Sequence, residues 1–139
     1  MAESTTPDLV ELARRGYESF SRRDLDAVMR FWGPDPVWDV SHMGLGVYEG
    51  REAIRRFFEG WFSAYEEYEF ELEQILDLGN GVVFAVARQK GRPVGSTGYV
   101  EMHQANVGVW VEGLTVRLTH YNDIDEARAA AERLAEERG

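Results

Sequence analysis

No cysteine occurs among the 139 residues. Disulfides, thiolate metal ligands and a cysteine nucleophile are thereby excluded. Long apolar runs are missing as well: none reaches the ~20 residues that cross a bilayer. The opening stretch, Met1 to Leu9, lacks a basic region followed by an apolar one. No secretory signal is expected there, and a soluble cytoplasmic protein is. Positive charge is scarce, with 15 Lys and Arg against 25 Asp and Glu, for a net charge of −10. Such a surface repels polyanions, so neither nucleic acid nor an anionic membrane is an expected partner. Three scattered histidines without matched spacing argue against a metal site. No glycine-rich phosphate loop, no HExxH and no serine nucleophile elbow is found. No cofactor is expected.

What is present is a globular composition, 44% hydrophobic and 12% aromatic. The length suits one domain over residues 1–139 with a single core, residues 1–6 being expected to be flexible. Thr6 and Pro7 offer an N-cap and a proline at the first helical position. Leu9, Leu12, Ala13, Tyr17 and Phe20 then recur at helical spacing. Asp24 caps a second, short helix carrying Leu25, Val28, Met29 and Trp32. Gly33-Pro34-Asp35-Pro36 is expected to stop it. Val37 to Ser41 reads as a short strand followed by a loop, His42 to Gly50. A third helix starts near Gly50 with a wide apolar stripe of Ile54, Phe57, Phe58, Trp61, Phe62 and Tyr65.

The second half alternates in the manner of strands. Tyr68, Phe70 and Leu72 stand against glutamates, and Gly79-Asn80-Gly81 is a hairpin signal. Val82 to Gln89, Thr97 to Val111 and Leu114 to Asn122 are the following strands, with Glu112-Gly113 turning the last pair. Asp123 and Glu126 form a capping-box pattern for a closing helix. Its face of Ala127, Ala130, Ala131 and Leu134 is suited to close packing on something flat. Helices followed by a meander of strands predict an α+β domain, with helices on one face of an antiparallel sheet.

Alternation also sorts side chains by face. On the last strand Val116, Leu118 and His120 form the more apolar set, which points His120 inward. On the long strand Met102, Gln104, Asn106 and Trp110 form one set and His103, Ala105, Val107 and Val109 the other. Both are buried types, so periodicity does not choose between them.

Five segments occur in order: Asp35-Pro36-Val37-Trp38-Asp39-Val40, the run VYEGREAIRRFF from Val47 to Phe58, LGNGVVFAVA from Leu78 to Ala87, Val109-Trp110-Val111-Glu112-Gly113, and HYNDIDEA from His120 to Ala127. Together they resemble the nuclear transport factor 2-like superfamily, and most of all its SnoaL-like branch. The resemblance implies a cone: N-terminal helices packed on a strongly curved antiparallel sheet, a C-terminal helix, and an apolar pocket between helices and sheet. It implies a homodimer through the outer sheet face, for which Phe84, Val86, Val107 and Val109 supply apolar surface. It places Trp38, Val40, Ala85, Ala87, Gln89, Met102, Gln104, Asn106 and Trp110 toward the cavity.

The superfamily includes isomerases, epoxide hydrolases, cyclases, dehydratases and non-catalytic modules, so the fold does not name a function. The steroid-isomerase positions fall at Val40 for the base, with Asp39 one residue away, near Gly16 for the tyrosine, and at Ala105 or Asn106 for the acid. The epoxide-hydrolase positions fall at Ala87, Gln89 and His120. Neither set of residues is present. The last-strand position holds His120, a group that titrates near neutrality and suits general base chemistry. The candidate catalytic residues are therefore His120 and Asp39. The candidate ligand-binding residues are Trp38, Gln89, Met102, Gln104, Asn106 and Trp110. Two readings stay open: a cofactor-free isomerase, cyclase or lyase acting on a small hydrophobic carbonyl compound, or a non-catalytic ligand-binding or dimerisation module. A lone inward histidine such as His120 is more often a wall residue, and Asp39 more often a surface or loop-capping one.

Overall fold

A computed structural model describes residues 8–139. The expected cap at Thr6 and Pro7 lies outside the described residues, as do residues 1–6. Asp8 caps the first helix, α1 (Leu9–Ser21), by accepting from the Glu11 amide. Asp24 does the same at Ala27 for α2 (Leu25–Met29). The chain continues through β1 (Trp32–Asp39), a 3₁₀ turn at Ser41–Met43, β2 (Val47–Glu49), α3 (Arg51–Ser63), β3 (Tyr65–Asp77), β4 (Val82–Pro93), β5 (Val100–Val111), β6 (Leu114–Tyr121) and α4 (Ile124–Arg138).

The six strands form one curved sheet in the order β2-β1-β6-β5-β4-β3. Every neighbouring pair is antiparallel except β1 and β6, which run parallel. The fold is α+β, with α1, α2 and α3 closing over the concave face.

Gly33-Pro34-Asp35-Pro36 does not end a helix. It lies inside β1, where Trp32 pairs with Thr115 and Val37 already pairs with Arg117. The two prolines lack the N–H that a ladder needs, so the segment bulges and the strand resumes beyond it. Trp32 thereby belongs to β1 and not to α2. The expected loop from His42 to Gly50 contains the 3₁₀ turn and the short strand β2. Strand β4 runs on to Pro93, and β5 starts at Val100, not Thr97.

A second bulge lies in β6. Val109 pairs with Arg117 and Trp110 with Thr115, leaving Val116 as the extra residue. One added residue inverts the alternation. Thr115, Leu118 and His120 therefore face the concave side, while Val116, expected there, lies on the outer face.

The outer face is partly covered from within the chain. Val82, Phe84, Val86, Ala105 and Val107 pack under α4, whose Ala127, Ala131 and Ala135 are buried against them. Alanines let the helix approach the strands closely, as the small-residue face predicts. Of the apolar surface from which a homodimer was expected, Phe84, Val86 and Val107 thus pack against the chain's own helix, while Val109 lines an outer groove. The end of α4 is tied to the β3–β4 turn: Asn80 Nδ2 donates to the Ala135 carbonyl at 2.6 Å, and Arg138 Nε donates to the Asn80 carbonyl at 2.9 Å. Elsewhere on this face the sheet is charged, with Glu73 bridging Arg88 and His103 at 2.6 Å each.

Among the described residues no helix is long and apolar enough to cross a membrane.

Candidate functional site

A cavity of about 90 Å³ lies between the concave face of the sheet and the three N-terminal helices. Its walls are aromatic because α1 and α3 turn their apolar stripes inward, and because Trp32 and Trp38 stand on the inner face of β1. Trp38 stacks on Phe58 at 4.6 Å and meets Phe57 edge-on at 4.7 Å. Such contacts hold large side chains in fixed orientation. Tyr17, Phe20 and Phe70 complete the wall from the α1 side.

Polar groups enter this apolar space from the strands. Gln89 on β4 and Gln104 on β5 are buried, and Gln89 Nε2 donates to Gln104 Oε1. Gln104 Nε2 donates in turn to the Met43 sulfur at 3.4 Å. Asn106 Nδ2 donates to the Tyr17 hydroxyl at 3.0 Å. Asn106 also stands directly opposite His120 in the β5–β6 ladder. The His120 ring lies 5.3 Å from that of Trp38.

Four buried polar atoms around the cavity have no hydrogen-bond partner: Trp38 Nε1, Gln89 Oε1, Asn106 Oδ1 and His120 Nδ1. A fifth, Trp61 Nε1, belongs to another lining residue. Buried polar atoms are nearly always paired in folded proteins, and each orphan costs about 1–3 kcal/mol. Clustering around one hollow makes them a feature of that hollow.

No lining group carries charge at neutral pH. Burial lowers the His120 pKa to about 3, because a charged imidazolium has no solvent there. Burial raises that of Tyr17 to about 12, with the Asn106 hydrogen bond opposing it. The site offers neutral donors and acceptors within an aromatic shell. Among the described residues no three His, Asp or Glu side chains are grouped to hold a metal ion.

The other sequence candidates are distributed as follows. Trp110 and Val40 line the cavity. Met102 shares the inner face of β5 with Gln104 but lies beyond the lining. Asp39 points the other way. It opens onto an outer groove with Val116, Arg117 and Tyr121. It accepts from the Ser41 backbone amide at 2.9 Å and from Arg117 at 3.2 Å. Burial works to raise its pKa, but the Ser41 hydrogen bonds and the Arg117 charge outweigh it and hold the carboxylate below its usual range. One residue separates Asp39 from Val40, and strand alternation sends them to opposite faces. Asp39 is therefore not a base for this cavity. His42 is exposed and stacks on Tyr121 at 4.4 Å, and His103 is outward, bound to Glu73.

Tyr17 and Met43 are among the lining residues that the sequence did not mark as site candidates. Tyr17 stood within the apolar stripe of α1, and only its hydroxyl marked it as different. Met43 lies in a glycine-containing loop, where no periodicity operates.

Residues 13–118 match the SnoaL-like domain family. Among curated proteins none matches the sequence. Similar solved structures share the fold. One is an NTF2-like protein of unknown function from Burkholderia pseudomallei, 21% identical, with TM-score 0.73, covering 87% of this chain and 95% of its own. Another is a hypothetical protein with a ketosteroid isomerase-like fold from Catenulispora acidiphila, in complex with trimethylamine: 14% identical, TM-score 0.72, coverage 91% and 94%. A third is TerC co-crystallised with polyporic acid: 16% identical, TM-score 0.72, coverage 89% and 98%.

Proposed function

We propose that this chain, which belongs to the SnoaL-like domain family, binds a small, mostly apolar carbonyl compound in its interior cavity and moves a proton on it without a cofactor, as an isomerase, cyclase or lyase. The observation that carries this reading is the set of unpartnered atoms, Trp38 Nε1, Gln89 Oε1, Asn106 Oδ1 and His120 Nδ1, around one aromatic-walled hollow. Aromatic walls with a few convergent polar groups are what a small hydrophobic ligand bearing one or two oxygens requires. The polyporic acid and trimethylamine complexes show small molecules bound by proteins of this fold.

In the proposed step His120 is the base. Its depressed pKa keeps the imidazole unprotonated well into acid, so a lone pair is available. It takes a proton from the carbon beside the carbonyl, and the C–H electron pair moves into a C=C bond while the carbonyl oxygen gains negative charge. The Tyr17 hydroxyl donates to one lone pair of that oxygen, leaving the other for the Gln104 amide. Tyr17 accepts from Asn106, which orients it and favours the charge it partly assumes. Imidazolium then returns the proton to another carbon, completing an isomerisation, or to a departing β-hydroxyl, completing a dehydration. A weak base serves such a step when the developing oxyanion is strongly stabilised, as in the ketosteroid isomerases.

One observation favours a second reading. A group with a pKa near 3 is a poor proton acceptor at neutral pH, which suits a binding module. Proton exchange separates the two. The protein is incubated with acetophenone and related aryl ketones in D₂O, and loss of the α-proton signals is followed by NMR. Catalysed exchange in the wild type, abolished in His120→Ala and slowed in Tyr17→Phe, is expected. Binding of these ketones without accelerated exchange overturns the enzymatic reading and leaves the binding one.

A further inference from the structure

The cavity is smaller than the aryl ketones proposed above as its ligands. An engineered cavity that admits benzene measures ~150 Å³. The space here is about 90 Å³. An aromatic ring enters only if a lining group withdraws. Most of that lining stands on helices and strands and is locked by aromatic packing. Phe31 and Val40 adjoin the ends of β1, whereas Met43 and Leu45 are carried on the loop between β1 and β2.

That loop has the form of a flap. Its neck is closed by the Val40 amide donating to the Gly46 carbonyl at 2.9 Å and the Leu45 amide donating to the Val40 carbonyl at 3.2 Å. One side is fastened to the end of β6, where His42 stacks on Tyr121 and Asn122 Nδ2 donates to the His42 carbonyl at 2.8 Å. The other side is held by the backbone bonds of the neck and by the turn at Ser41, whose carbonyl accepts from the Gly44 amide at 2.9 Å. Gly44 and Gly46 have φ of 75° and 89°, and a β-carbon added to either would meet nothing within 4 Å, so this half has room to move. Leu45 is 40% exposed.

Met43 reaches from the flap into the cavity and accepts from Gln104 Nε2. A thioether is a weak acceptor and no donor. It fixes the polarity of the whole chain: Gln104 must turn Nε2 toward sulfur, its Oε1 then receives Gln89 Nε2, and Gln89 Oε1 is left unpaired. A carbonyl oxygen is a better partner for Gln104 Nε2 than sulfur is. Met side chains also move readily, having three rotatable bonds.

We propose that Met43 is a built-in stopper: its thioether holds the place of the ligand's oxygen on Gln104, and the flap of residues 41–46 withdraws it when an oxygen-bearing ligand binds. The inference rests on the reading of the cavity as a ligand site and adds the residue that gates it. A stopper in place ~90% of the time lowers apparent affinity ~10-fold, and its removal restores it.

The test uses the full chain labelled with ¹³C at methionine methyls, with acetophenone as probe and ethylbenzene, which lacks the oxygen, as control. Met43→Leu identifies the Met43 signal by its loss. In the wild type, acetophenone is expected to move that signal from its ring-current-shifted position toward that of an exposed methionine. Met43→Ala is expected to bind acetophenone about tenfold more tightly. The wild type is expected to favour acetophenone over ethylbenzene, and Gln104→Leu to remove that preference. If acetophenone saturates the protein while the Met43 methyl stays in place, or if Met43→Ala binds no better, the stopper is overturned and the ligand site stands. If neither wild type nor Met43→Ala binds either compound, both readings fall.

Discussion

Asn106 on β5 donates to the Tyr17 hydroxyl on α1 at 3.0 Å, across 89 positions of sequence. The bond joins the first helix to the inner face of the sheet beside His120. It leaves the Tyr17 proton free to donate and Asn106 Oδ1 without a partner. Tyr17→Phe removes the acceptor and strands the buried amide. A stability loss of about 1–2 kcal/mol is expected, read from the urea midpoint. Ketone-stimulated proton exchange should fall further than stability explains, since the oxyanion donor goes with the hydroxyl.

His120 gives a pH dependence of defined sign. Its folded pKa is near 3, and an unfolded histidine titrates near 6.5. Below pH 6.5 the unfolded chain takes up a proton that the native state refuses. Stability contributed by the neutral buried ring is thus full above pH 6.5 and is lost as pH falls toward 3, at about 1.4 kcal/mol per pH unit. Between pH 6.5 and 5 the carboxylates add little. Over that window the urea midpoint of His120→Gln should fall less steeply than that of the wild type; equal slopes would place the imidazole in contact with solvent.

Ala131, on the inner face of α4, is fully buried against the outer core. Ala131→Glu forces a carboxylate into that contact or lifts the helix. A loss of about 3 kcal/mol or more is expected, together with association through the uncovered Phe84, Val86 and Val107. Light scattering after chromatography reads the association. An association state identical to that of the wild type would show that α4 contributes little to covering the face.

Gly81 has φ of 81°, and a β-carbon there would stand 2.4 Å from the Trp110 carbonyl oxygen. The same residue's carbonyl accepts from the Trp110 amide at 2.7 Å, so neither segment is free to retreat. Gly81→Ala is expected to cost about 1–3 kcal/mol, measured by thermal unfolding.

Much of this architecture is visible in the sequence, because periodicity records which face is buried. The stripe of Ile54 and Phe58, the alternation around Phe70, and the Asp24 and Asp123 caps all translate directly into elements. Alternation also separates Asp39 from Val40. It fails where a single residue is inserted. Val116 and Leu118 are both apolar, so nothing in the pattern marks the bulge that sends them to opposite faces. The prolines at 34 and 36 read as a helix stop, although a strand with a bulge tolerates them equally. The outer face shows a different limit. Phe84, Val86 and Val107 declare that something must cover them, but a second chain and the chain's own helix satisfy that demand alike. The alanine face of α4 was the clue. Of the site, the strand residues were legible by face. Tyr17 was hidden among apolar neighbours, and Met43 among loop residues whose packing no pattern encodes.

The cover that α4 provides has a consequence in time. The helix follows all six strands along the chain, so the ribosome makes the face before it makes the lid for that face. From Val111, the end of β5, to Arg138, the end of α4, synthesis takes about 1–5 s at ~5–20 residues per second. Throughout that interval the residues of β4 and β5 have been made but the helix that covers Phe84, Val86 and Val107 has not. Phe84, Val86 and Val107 are therefore most open to association before α4 has docked on them.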